Sequence, residues 1–179
     1  MLSCGLLLGQ SVVTQSPPTN FTALKGEMKV FEAVIDETMA QIFAPPFGLL
    51  EKTKGTYLPG FGLTFSLEVN LYPLPALSPF DSHVPSKGEP EMRRRVEVQR
   101  IRAIKQSVCR LLADHAVSLR DLRSEDSVAV IVHLFIMDAG DSKLPDQLVI
   151  EARKSDLDLF WGMKITYKDL VDRITILDL

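Results

Sequence analysis

Three histidines, two cysteines and a few clustered carboxylates are the residues of this 179-residue chain that could carry chemistry. Asp81-Ser82-His83 has the three residue types of a nucleophilic triad. In such a triad the imidazole bridges the other two groups, which consecutive residues cannot arrange, and no G-x-S-x-G turn is present. Loop polarity accounts for the trio. His83, His115 and His133 show no metal-ligand spacing, and each is expected as a histidine hydrogen-bonded to backbone or to a neighbour, His115 and His133 being buried. The sharper alternative brings His115, on a helix, against His133, in a strand, to form one site. Asp138, Asp141 and Asp146 offer oxygen ligands, but their spacing is unlike an EF-hand loop, so they read as a solvated turn. Asp156 and Asp158 read the same way. No catalytic set, metal site or cofactor is therefore expected. A small hydrolase using His83 or His133 with an acidic neighbour is the alternative.

Two segments point instead to binding. Arg93, Arg94 and Arg95, followed by Arg100, Arg102, Lys105 and Arg110, form the one strong charge block. Consecutive helical residues point about 100° apart, so the three arginines fan around the axis, with Glu89, Glu91 and Glu97 interleaved. Cations at a helix N-terminus oppose the helix dipole, so helix stability alone does not explain them. The plain reading is a solvated helix end with local ion pairs; an acidic protein or a lipid headgroup is the partner that the mismatch suggests. The second segment is Tyr57-Leu58-Pro59-Gly60-Phe61-Gly62. Pro59-Gly60 is a type II turn pair, and Gly62 lets another backbone or a ligand come close. Tyr57, Pro59, Gly60, Phe61 and Gly62 are thus candidate binding residues beside the three arginines. Trp161 is expected to close a core edge.

The elements that must position these residues follow from periodicity. Phe31, Val34, Ile35, Thr38, Met39, Ile42 and Phe43 recur at threes and fours, predicting a helix from Met28 to Ala44 that Pro45-Pro46 ends. Lys54-Gly55 reads as a turn. Phe61, Leu63, Phe65, Leu67, Val69 and Leu71 alternate with small or polar residues, a strand with one face on a core. Five prolines make residues 73–90 a loop. A long helix runs from Glu91 to about Val117, its first two turns projecting beyond the core. Ser127–Met137 is apolar at odd and even positions, as a central strand covered on both faces would be. Leu148, Ile150 and Ala152 form its hairpin partner. Thr166 and Asp169 predict a capping box, and Ile174–Leu177 a last strand.

This order predicts an α+β fold, an antiparallel sheet of four to five strands packed with two main helices. As an order of elements it is similar to the profilin-like and roadblock-like arrangement, helix–β–β–helix–β–β–helix. Residues 21–179 are one domain; residues 1–20 are leader-like or disordered. Leu2 to Gly9 is too short an apolar run to span a bilayer, and with Gly9-Gln10-Ser11 it resembles the core and cleavage site of a truncated export signal. Cys4 and Cys109 then say nothing firm about redox compartment. A formal charge of −3 gives no global reason to expect nucleic acid. The expectation is a non-catalytic exported domain of a bacterial envelope, periplasmic or secreted, binding a protein or small ligand. A cytoplasmic scaffold, dimeric through a sheet edge, is the alternative.

Overall fold

The computed structural model describes residues 20–43, 49–71, 89–135 and 144–179. Its elements are α1 (Phe21–Ile42), β1 (Leu49–Leu58), β2 (Gly62–Asn70), α2 (Glu89–His115), β3 (Ser127–Phe135), β4 (Gln147–Arg153), α3 (Lys154–Trp161), α4 (Tyr167–Val171) and β5 (Thr175–Asp178). The strands form one sheet in the order β1-β2-β3-β4-β5. Three neighbouring pairs are antiparallel, as expected, and β2 pairs with β3 in parallel. A parallel pair cannot be closed by a tight hairpin and needs a long crossover, which α2 supplies. The fold is α+β with a mostly antiparallel sheet.

One face of the sheet makes the core. Leu63, Phe65, Leu67 and Val69 of β2, Val128, Val130 and Val132 of β3, and Leu148 and Ile150 of β4 are buried there. They meet Phe31, Ile35 and Met39 of α1 and Ile104, Val108 and Leu112 of α2 in one cluster. Each such side chain contributes roughly 1.5–3 kcal/mol by leaving water. That burial, more than helix propensity, fixes the two long helices on this face.

Helix α1 starts seven residues before Met28. Asn20 caps it, its side chain accepting the Ala23 N–H at 3.1 Å, and the added turns bury Leu24. Gly26 lies in this extension, and a Cβ there would meet nothing within 4 Å. Gly26→Ala should therefore raise stability by about 0.5–1 kcal/mol, read as a higher urea midpoint, because alanine loses less backbone entropy in a helix.

Lys54-Gly55 is not a turn but the middle of β1. The N–H of Gly55 donates to Glu32 Oε1 at 2.8 Å and that of Thr53 to Asp36 Oδ1 at 2.9 Å. Two α1 carboxylates thus occupy donors along the outer edge of β1. Gly55 is small because α1 is close: a Cβ would stand 2.9 Å from the Phe65 ring and 3.1 Å from Glu32 Oε1.

Strand β3 is central, but its two faces differ. Val128, Val130, Val132 and Leu134 are buried against the helices, whereas Ile131 is half-buried and His133 and Phe135 are exposed. Helix α3 was not expected from the sequence. It pairs the supposed acidic patch internally, Asp158 with Lys154 at 2.5 Å and Asp156 with Arg173 at 2.8 Å. Trp161 closes a core edge as expected, its indole N–H donating to the Ala113 carbonyl at 2.6 Å. The capping box of α4 is present: the Asp169 N–H donates to Thr166 Oγ1, and the Thr166 N–H to Asp169 Oδ2. The Thr166 hydroxyl, which donates to Asp169 Oδ2 at 2.7 Å, and then the Thr166 N–H hold the Asp169 carboxyl below its ordinary range.

Residues 1–19, Pro45-Pro46, the proline-rich segment to residue 88, and Asp138 and Asp141 lie outside the described residues. The export reading and the Asp81-Ser82-His83 trio fall there. No described helix is long and apolar enough to cross a membrane.

Candidate functional site

The β1–β2 turn has the geometry its sequence requires. The Phe61 N–H donates to the Leu58 carbonyl at 3.0 Å, and Gly60 has φ +84°, the left-handed value of a type II turn. Gly62 has φ +124°. The backbone that comes close to it is the chain's own: Ser127, opening β3, donates its N–H to the Phe61 carbonyl at 2.7 Å. A Cβ on Gly62 would overlap the Ser127 carbonyl oxygen and lie 2.8 Å from its nitrogen. Tyr57 is half-buried, edge-on to Phe21 with ring centres 6.1 Å apart. Of the five candidate residues in this segment, only Pro59 and Gly60 are exposed.

The arginines lie elsewhere. Arg100 of α2 donates to the Leu71 carbonyl, which places the start of α2 at the far end of β2 from this turn. Nine residues of strand separate the two ends, about 27 Å. The structure thus does not join the two candidate segments into one surface.

Nor do the three arginines act alike. Arg93 is half-buried, while Arg94 and Arg95 are exposed. Glu97 is buried, although the core takes no α2 residue before Ile101. Further along, Lys105 bridges to Asp178 at 2.7 Å, Arg110 bridges to Asp114 at 2.6 Å, and Arg100 lies over the Phe43 ring. Arg102 is exposed, and among the described residues Arg94, Arg95 and Arg102 make no ion pair. Arg95 and Arg102 are two turns apart on one stripe, with Val98 beside them and Met92 at the end, both side chains exposed. Arg102 was counted in the charge block of the sequence but not among its candidate binding residues. Its seven-residue spacing from Arg95 was the available signal.

The two described histidines do not meet. His115 is exposed, not buried, and lines a groove between α1 and α2 with Val30, Ala33, Val34 and Glu37. His133 is exposed on the opposite side of the sheet, where its Nε2 and Ser66 Oγ share a hydrogen bond of 3.2 Å. No family model, curated protein or solved structure matches the chain.

A Ser–His pair can move a proton toward the imidazole, but hydrolysis also needs a third group to orient the ring and donors for an oxyanion. Among the described residues, His133 makes no hydrogen bond to a carboxylate. Cys109 is buried in the core, and burial pushes its thiol pKa up, which makes it a poor nucleophile. No described group of three His, Cys, Asp or Glu side chains is placed to hold a metal ion. Asp146, exposed, serves the sheet through its backbone: its N–H donates to the Leu179 carbonyl and its carbonyl accepts the Leu134 N–H.

Proposed function

We propose that the chain is a non-catalytic interaction module that docks an acidic protein surface along the outer ridge of α2. The observation that carries this reading is the state of Arg94, Arg95 and Arg102, three exposed guanidinium groups with no ionic partner among the described residues, set beside exposed Met92 and Val98. A ridge of this composition combines Coulomb attraction with two apolar side chains to bury, the mixture found at protein interfaces. The Tyr57–Gly62 turn is left as an element of the fold, because its closest approach is to Ser127.

Retention on an immobilised poly-glutamate matrix tests the reading with a defined acidic probe. At about 20 mM salt the wild-type chain is retained, and at about 200 mM retention falls, because exposed charges are screened. Substituting Arg94, Arg95 and Arg102 together by serine should weaken low-salt retention about tenfold or more and leave the unfolding midpoint unchanged. Equal retention of the two proteins at low salt would remove the ridge from the proposal.

A second reading, self-association through a sheet edge, has its own support. The β1 edge carries the carboxylates of Glu32 and Asp36, whereas the β5 edge carries no such cover among the described residues.

A further inference from the structure

We infer that the partner at the β5 edge is a second copy of this chain, paired antiparallel about a two-fold axis at Leu177. The inference rests on the self-association reading and specifies its register.

The ladder decides which groups of β5 face outward. Leu179 and Gln147 exchange both backbone hydrogen bonds, at 3.0 and 3.2 Å. In an antiparallel pair such exchanges alternate along the strand, so Leu177 and Thr175 also turn their polar groups toward β4. Ile176 and Asp178 therefore turn theirs away from the sheet. A two-fold axis through Leu177 sets Ile176 of one copy opposite Asp178 of the other, and the reverse. Each pair then exchanges two hydrogen bonds, four in all, using the outward donors and acceptors of both residues.

The side chains fit the same operation. Leu177 comes opposite itself in a non-hydrogen-bonded pair, the closer of the two antiparallel spacings. It is 47% exposed, and its neighbours Ile176 and Leu179 are 37% and 58% exposed, so pairing covers apolar surface that one copy leaves in water. The sole charged side chain of β5 is Asp178, which would repel its counterpart across such an edge. Lys105 of α2 neutralises it at 2.7 Å. Edge strands are commonly protected by an unpaired charge, a proline or a bulge. The four residues of β5 include no proline, and their one charge is cancelled. An edge of four residues is short, so the dimer expected is weak and dependent on concentration.

Light scattering coupled to size exclusion, across roughly a hundredfold concentration range, should show the mass rising from one chain toward two. Ile176→Pro deletes an outward N–H without touching a bond to β4, and should remain monomeric at the top concentration with an unchanged unfolding midpoint. In a Cys4→Ser background, Leu177→Cys should form an intermolecular disulfide under mild oxidation, because its counterpart lies directly across the axis; Thr175→Cys should not. Cys109 is buried and stays out of the reaction. A wild-type chain that is monomeric throughout overturns both the register and self-association. A dimer that fails to cross-link at Leu177→Cys overturns the register and leaves self-association standing.

Discussion

Replacing Gly62 by alanine should cost about 4 kcal/mol, the largest loss expected from substituting a glycine among the described residues. Two effects combine. The backbone stands at φ +124°, a conformation that an L side chain adopts only with strain of roughly 1–3 kcal/mol. The added Cβ would also overlap the Ser127 carbonyl oxygen and press on Asp126 Cβ at 3.0 Å, overpacking of about 1–3 kcal/mol. Neither neighbour is the free end of a flexible side chain. Asp126 is buried, its carboxylate held by Arg123 Nη2 at 2.9 Å, and its carbonyl accepts the Lys154 N–H. Urea unfolding measures the loss. A Gly62→Ala protein with an unchanged midpoint would mean that β3 does not start against the hairpin turn. The contrast with Gly26→Ala, expected to stabilise, separates a glycine required by its surroundings from one that is not.

Phe65→Ala should cost about 3–5 kcal/mol, because it leaves a large cavity at the centre of the core. Phe65 is fully buried in β2 and meets Phe31 of α1 with ring centres 4.9 Å apart, so the deletion loses an aromatic contact and leaves a void between sheet and helix. Its ring also lies where a Gly55 Cβ would stand, linking it to the stretch of β1 that Glu32 holds. A midpoint that moved by less than the equivalent of about 1 kcal/mol would place the core elsewhere. Val132→Ala, at a buried position on β3, should cost about 2–3 kcal/mol by the same mechanism.

What the sequence made legible follows from how each element buries its apolar residues. Strand β2 alternates strictly, since one face meets helices and the other does not, and period two reads directly from such a strand. The capping box of α4 was readable because Thr166 and Asp169 satisfy each other within four residues. Strand β1 was not. Its side chains are mostly exposed, and it is held by β2 and by carboxylates of α1 distant in sequence, so neither alternation nor composition marks it. Helix α3 has eight residues, too few for its period to stand out beside β4.

The histidines and arginines failed for a related reason. A residue on the apolar side of a helical wheel can sit at the rim of that side, as His115 does beside the α1–α2 groove. Ile131, His133 and Phe135 continue an apolar-looking run in β3 although their face of the sheet is not the one the described helices cover. Among the arginines, three in a row gave no means of separating inward Arg93 from outward Arg94 and Arg95. That division depends on the rotation of α2 about its axis, which Ile101, Ile104 and Val108 set by packing.

The parallel pairing of β2 with β3 also bears on how the chain reaches its native state. The β1–β2 and β3–β4 hairpins join residues close in sequence, whereas Gly62 meets Ser127 only after the whole of α2 has been brought back across the sheet. Closing that long loop loses chain entropy before any contact offsets the loss, and topologies rich in distant pairings fold slowly. The halves on either side of the crossover can therefore acquire local order before the seam between them forms. Until it does, the facing edges of β2 and β3 remain open to pairing with other chains.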